Sequence, residues 1–164
     1  MHEAVGPGWL RWLEGSAVAV AMRQWLWLYP MVEIAHILGL VILVGAAAMF
    51  DLRLLGVSHQ LPVTDMARHL LRWARLSLLV VVPSGVLMFM AHATEMAANP
   101  AFRLKMLLIA AAFFNATRFH RGPFKAVMNW NQNVTIPATA KVAAVLSLVL
   151  WAGVIACGRL LAYF

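Results

Sequence analysis

Between Arg75 and Glu95 the chain carries no charged side chain, and comparable uncharged runs separate Glu33 from Asp51 and Lys141 from Arg159. A helix needs roughly 20 mostly apolar residues to cross about 30 Å of hydrocarbon, because every backbone N–H and C=O must find its partner inside the segment. Runs of this kind constrain the fold more than any other feature, and composition agrees with them. Of 164 residues, 63% are hydrophobic and 12% charged, whereas soluble domains carry about a quarter charged residues. An ordinary soluble domain is excluded. The expectation is all-α: an integral membrane four-helix bundle with an N-terminal interfacial amphipathic helix, forming a single membrane domain over 1–164.

Four spans are expected, at 30–55, 72–97, 100–121 and 138–162. Pro30 suits a first helical turn, where its missing N–H costs nothing. Pro83, Ser84 and Gly85 in the middle of the second span predict a kink. In the third span the uncharged stretch from Met106 to Thr117 is short, so Arg103, Lys105 and Arg118 must snorkel or face protein. Before the first span, residues 9–28 place Trp9, Leu13, Ser16, Val20 and Trp27 at helical spacing, interrupted by Arg11, Glu14 and Arg23. Trp9, Trp12, Trp25 and Trp27 point to a helix lying among lipid headgroups. The first residues lack the basic leader, apolar core and small-residue site of a cleavable signal, so the first span is expected to direct insertion.

The formal net charge of +7 would suggest nucleic acid in a soluble chain, but the basic residues gather at the ends of apolar runs. That pattern reads as orientation and anionic lipid, not nucleic acid. The connections between spans one and two and between three and four hold Arg53, Arg68, Arg72, Arg75, Arg118, Arg121, Lys125 and Lys141 against Asp51 and Asp65. The other side holds Arg11, Arg23, Arg103, Lys105 and Arg159 against Glu3, Glu14, Glu33 and Glu95. Both termini are therefore expected on the periplasmic side of a bacterial inner membrane. Cys157, the single cysteine, cannot close a disulfide within the chain. The scattered methionines form no copper-conducting track, and Asn133-Val134-Thr135 matches a glycosylation sequon on the expected cytoplasmic side, where it is discounted.

Ionisable groups inside a membrane cost several kcal/mol unless paired or hydrated, so the histidines matter most. Counted from the expected span ends, His36 and His92 reach similar depth in the outer half of the bilayer. Two histidines on facing helices suit the axial positions of a b-type haem. Arg103, Lys105 or Arg23 would neutralise its propionates. The same residues allow a second reading. Glu33 and His36, and likewise His92 and Glu95, are i, i+3 pairs, so each carboxylate shares a helix face with its histidine, as in a copper or iron site. In a third, the carboxylates are solvated helix ends and the histidines polar interface residues. On the inner side His69 and His120 also match in depth, among Arg68, Arg72, Arg75, Arg118 and Arg121. His69 and His92 stand about 35 Å apart along one helix, which favours an interfacial cluster there over a second haem. His59, in a loop, and His2, at the terminus, carry no positional signal.

The stretch Tyr29-Pro30-Met31-Val32-Glu33-Ile34-Ala35-His36-Ile37-Leu38-Gly39, followed by Gly45 and Asp51-Leu52-Arg53-Leu54-Leu55-Gly56, resembles a group of small bacterial four-span membrane proteins. More distantly it is similar to the CopD-like copper-resistance membrane proteins and the HemJ-type protoporphyrinogen oxidases. Those share a first-span His, a Gly further down and an Arg at the inner end. The oxidase pattern continues through a third-span Lys, a His near the inner end, and an Asn and a Pro before the last span, to which Lys105, His120, Asn133 and Pro137 correspond. The resemblance implies a haem-associated four-helix membrane fold with His36 as ligand and Lys105 as a functional partner.

The expected function is electron transfer through one haem b held by His36 and His92, as in a membrane oxidoreductase, with quinol or a periplasmic redox carrier as donor and lipids as surroundings. The alternatives are copper or iron handling through Glu33, His36, His92 and Glu95, and a structural accessory subunit in a homo- or hetero-oligomer whose amphipathic helix docks a partner.

Overall fold

A computed structural model describes residues 7–161 and 163 of the chain; His2, Glu3 and residue 162, where the last expected span ends, lie outside the described residues. Seven α-helices follow in order, α1 (Gly8–Glu14), α2 (Ala17–Gln24), α3 (Leu28–Leu54), α4 (Val63–Ala91), α5 (Ala93–Ala98), α6 (Pro100–Arg121) and α7 (Ala138–Leu160), with a 3₁₀ segment at Pro123–Asn129 between the last two. No strand occurs among the described residues.

Local chemistry sets these limits. The amphipathic segment expected over 9–28 is two helices, because Ser16 leaves helical geometry and its hydroxyl accepts from the Ala19 N–H at 3.3 Å to cap α2. Pro62 precedes α4 in extended geometry, so this helix starts at Val63, about two and a half turns before the expected 72. It continues through Pro83 and ends at Ala91. His92 is non-helical, at φ −141°, so the expected single helix to 97 is instead α4 followed by the one-and-a-half turns of α5. Asn99 caps α6, its side-chain oxygen accepting from the Ala101 N–H at 2.9 Å, with Pro100 in the first turn.

Helices α3, α4 and α7 are long and apolar enough to cross a membrane, which marks the chain as a membrane protein. Apolar side chains on their outer faces, such as Ile37, Val41, Leu79, Val142 and Val149, are exposed where a bilayer would cover them. Helix α6 falls short of that apolarity because Arg103, Lys105, Arg118 and Arg121 crowd its two ends. Among the described residues three such helices therefore stand where the sequence leads one to expect four.

Helix α3 packs between α4 and α7, and α7 packs against α6. The α6–α7 contact is antiparallel along most of both helices. Lys105 approaches Gly158, Leu108 packs at Gly153, and the Asn115 amide donates to the Ala143 carbonyl at 2.9 Å. Aromatic pairs tie α6 to the other helices near its two ends: Phe102 stacks on Phe89 at 5.4 Å and Phe119 meets Phe50 edge-on at 5.9 Å. The main apolar core lies at the end where α3 turns into α4, around Phe50, Leu54, Val63, Phe119, Val127, Trp130 and Ile136.

Candidate functional site

His36 lies half-buried on α3 and faces α4. Its Nδ1 stands 3.1 Å from the Val81 carbonyl oxygen and 2.9 Å from the Ser84 hydroxyl. A carbonyl can only accept, so the contact with Val81 requires the proton on Nδ1. Ser84 in turn donates to the Val80 carbonyl of its own helix and is free to accept from the imidazole. In that tautomer Nε2 carries an unshared pair.

Small residues bring the two helices close enough for this contact. A Cβ on Gly39 would stand 2.7 Å from a Val81 methyl, and one on Gly85 would stand 3.1 Å from the His36 Cε1. The ring therefore lies against bare backbone at Gly85, and α3 and α4 pack at a glycine spacing familiar from membrane helices. Lys105, half-buried on α6, is within electrostatic range of His36, with its Nζ 3.8 Å from where a Gly158 Cβ would be. Among the described residues no carboxylate pairs with it.

His92 sits apart from this group. It lies exposed at the α4–α5 corner, its ring edge-on to Tyr29 at 6.0 Å and its Nδ1 3.7 Å from Glu95. Tyr29 precedes His36 by seven residues, and Gly85, against which the His36 ring rests, precedes His92 by seven. Both counts separate the histidines by about 10 Å along the helices. Two imidazoles on one metal ion need ring nitrogens within about 4 Å, twice a metal–nitrogen bond of roughly 2.0 Å. The structure does not bring His92 to His36.

The remaining candidates are also dispersed. Glu33 is exposed one turn from His36, and Glu95 is exposed beside His92. Among the described residues no three His, Cys, Asp or Glu side chains gather around one point. Arg103 donates to the Ala97 carbonyl at 2.8 Å, and Arg23 donates to the carbonyls of Ala91 and Glu14 at 2.8 and 2.7 Å. Both guanidiniums tie down backbone at this end of the molecule. His69 is exposed on α4; His120 is exposed on α6, engaged with its own helix's Ala116 carbonyl at 2.8 Å, its ring edge-on to Phe119 and tilted against Phe124.

Glu14 is a polar anchor that the sequence reading counted only as a charge. Its carboxylate accepts from the Thr94 N–H at 2.8 Å and the Thr94 hydroxyl at 2.7 Å, joining α1 to α5. Partial burial pushes its pKa up, but the Thr94 hydrogen bonds and the nearby Arg23 and His92 outweigh this and hold it below the ordinary 4.5. Two residues inside the expected first span count in the sequence only as inner-side charges. Asp51 and Arg53 are buried, at 7% and 2% exposure. The apolar residues on both sides of Asp51-Leu52-Arg53 were the available signal, since they place the pair inside α3.

A family model described as a family of unknown function (DUF6644) matches residues 9–164. No curated protein matches the chain, and no solved structure does.

Proposed function

The chain belongs to DUF6644, a family of unknown function, and from its geometry we propose that it is a membrane-embedded b-type haem protein, with His36 as the iron ligand and one-electron transfer as its role. The observation that carries this reading is the His36 ring itself. With Nδ1 committed to Val81 and Ser84, the tautomer that remains is the one that can bind iron through Nε2. A backbone carbonyl on the far nitrogen is the usual way a protein orients a ligating histidine and raises its basicity.

A haem bound at this position would supply a reversible one-electron iron couple. The chain's own residues do the rest. Val81 and Ser84 hold the imidazole, the missing side chain at Gly85 makes room for its ring, and Lys105 on α6 provides a positive charge within electrostatic range. In this reading His36 is the residue of the chain that would hold the iron, since His92 lies about 10 Å away along the helices. A metal ion held without a macrocycle would need more donors than His36 and Glu33, which makes the haem reading the better fit.

The reading includes a fourth crossing. At 22 residues α6 is about 33 Å long, enough to span the hydrocarbon, and its antiparallel register along α7 gives it the depth of a helix that crosses. Its cations reach the interfaces or the protein interior. Four crossings would put both flanks of the bundle on one face, and the distribution of Lys and Arg supports the periplasmic side of a bacterial inner membrane for that face.

The test is an absorption spectrum of the detergent-purified protein, oxidised and then reduced with dithionite, with a haem assay on the same sample. The expected result is a Soret band that shifts on reduction, sharpened α and β bands, and about one haem per chain. A colourless protein from haem-sufficient cells would overturn the reading.

A further inference from the structure

A partly open cavity of about 250 Å³ lies between α3, α4, α6 and α7. Its walls are almost wholly apolar, with aromatic faces from Phe50, Phe119 and Trp151. Into them is set Asp51, 7% exposed, whose Oδ2 is buried without a hydrogen-bond partner among the described residues. An orphaned carboxylate oxygen in such surroundings costs more than any ordinary buried polar atom. No Lys, Arg or His nitrogen lies within 4 Å of it among the described residues. Arg53, two residues on, donates instead to the carbonyls of Leu61, His59 and Asn131.

The other polar groups at the cavity are Asn115 and Ser147, which add acceptors, and His120, whose Nδ1 is engaged with the Ala116 carbonyl of its own helix. Asn115 spends its amide nitrogen on the Ala143 carbonyl, which leaves its oxygen as the free end. Ser147 on α7 offers a hydroxyl next to Asp51. Asp51 also lies in the last turn of α3, where the helix dipole is negative. A site rich in acceptors, negative in potential and walled by aromatic rings calls for several N–H donors on a cation with an apolar body.

We propose that this cavity binds a small organic ammonium ion, a primary or secondary amine on an aromatic or aliphatic body, with its nitrogen at Asp51, Ser147 and Asn115. A cavity of roughly 150 Å³ holds a benzene molecule, so 250 Å³ accommodates a ring with a short amine arm. The proposal does not depend on His36 or on any haem.

The test is calorimetric titration of 2-phenylethylammonium into the full-length protein in phosphatidylcholine nanodiscs, where no lipid carries a primary amine. Saturable binding of one amine per chain is expected, weakened at least tenfold by Asp51→Asn, with no saturation by the neutral 2-phenylethanol at the same concentrations. Ala47→Leu, which fills the cavity and leaves Asp51 in place, is expected to abolish binding too, and it serves should Asp51→Asn not fold. Repeating the titration with phosphatidylethanolamine in the nanodiscs separates the sources of the ammonium: competition assigns the site to a lipid headgroup, no competition to a free amine. Absence of saturable amine binding, equal binding by the alcohol, or undiminished binding by either variant would overturn the proposal.

Discussion

At the scale of single residues, hydrogen-bond partners decide which polar groups are free to act. His36 was legible in the sequence, because a histidine two turns inside an apolar run is costly unless it has a task. Its anchors Val81 and Ser84 were not, since they depend on the register between α3 and α4. Burial of Asp51 was not legible for the opposite reason: its neighbour Arg53 makes the pair look like a charged helix end, and what buries them is the packing of α4, α6 and α7 around Asp51 and the connections folding back over Arg53. Glu14 gives a prediction at this scale. Its carboxyl is held below 4.5 in the fold, so the stability it contributes is full above that value and is lost as pH falls through the lowered folded value. Glu14→Gln should be less stable than the parent at pH 7 by about 1 kcal/mol. In detergent melting curves that difference should shrink as pH falls from 4.5 through the lowered folded value; a difference independent of pH would show that the ionised carboxylate is not what binds Thr94.

At the scale of elements, the apolar runs located the long helices, and boundaries set by tertiary contacts were harder to see. Helix α4 begins at Val63 because Asn131 holds its first turn, its carbonyl accepting from the Val63 N–H and its side chain from the Thr64 N–H, each at 3.0 Å. Those contacts join segments nearly 70 residues apart and leave no local signature. Arg53 supports the same corner with three hydrogen bonds to carbonyls in the two connections. Gly56, at φ +109°, lets the chain reverse there after α3. Arg53→Ala should destabilise the protein by roughly 3 kcal/mol or more, since it removes a buried side chain and strands its acceptors. Limited proteolysis should then cut first within 56–62 or 130–137. Cleavage unchanged from the parent would mean that Arg53 does not hold these connections. The break after Ala91 was equally invisible, and it accounts for the separation of the two outer histidines: depth had been counted along a helix running on to 97, whereas His92 stands at the end of α4.

At the scale of the whole molecule, the account joins a membrane topology to one iron ligand. Four crossings require the residues before α1 and after α7 to lie on the same face. With Cys157 replaced by Ala and single cysteines placed at Gly8 or Tyr163, an impermeant maleimide added to intact spheroplasts should label both positions; labelling of only one would leave three crossings and place α6 on the surface. The exposed tryptophans Trp9, Trp12, Trp25 and Trp27 fit the seating of α1 and α2 at a membrane interface. The most direct test of the central claim compares His36→Ala with His92→Ala, each purified as folded protein and assayed for haem per chain and for the α band after reduction. A single iron ligand at His36 predicts that His36→Ala loses both while His92→Ala keeps the parent's haem content and spectrum. Full haem retention by His36→Ala, or equal loss from both variants, would contradict it.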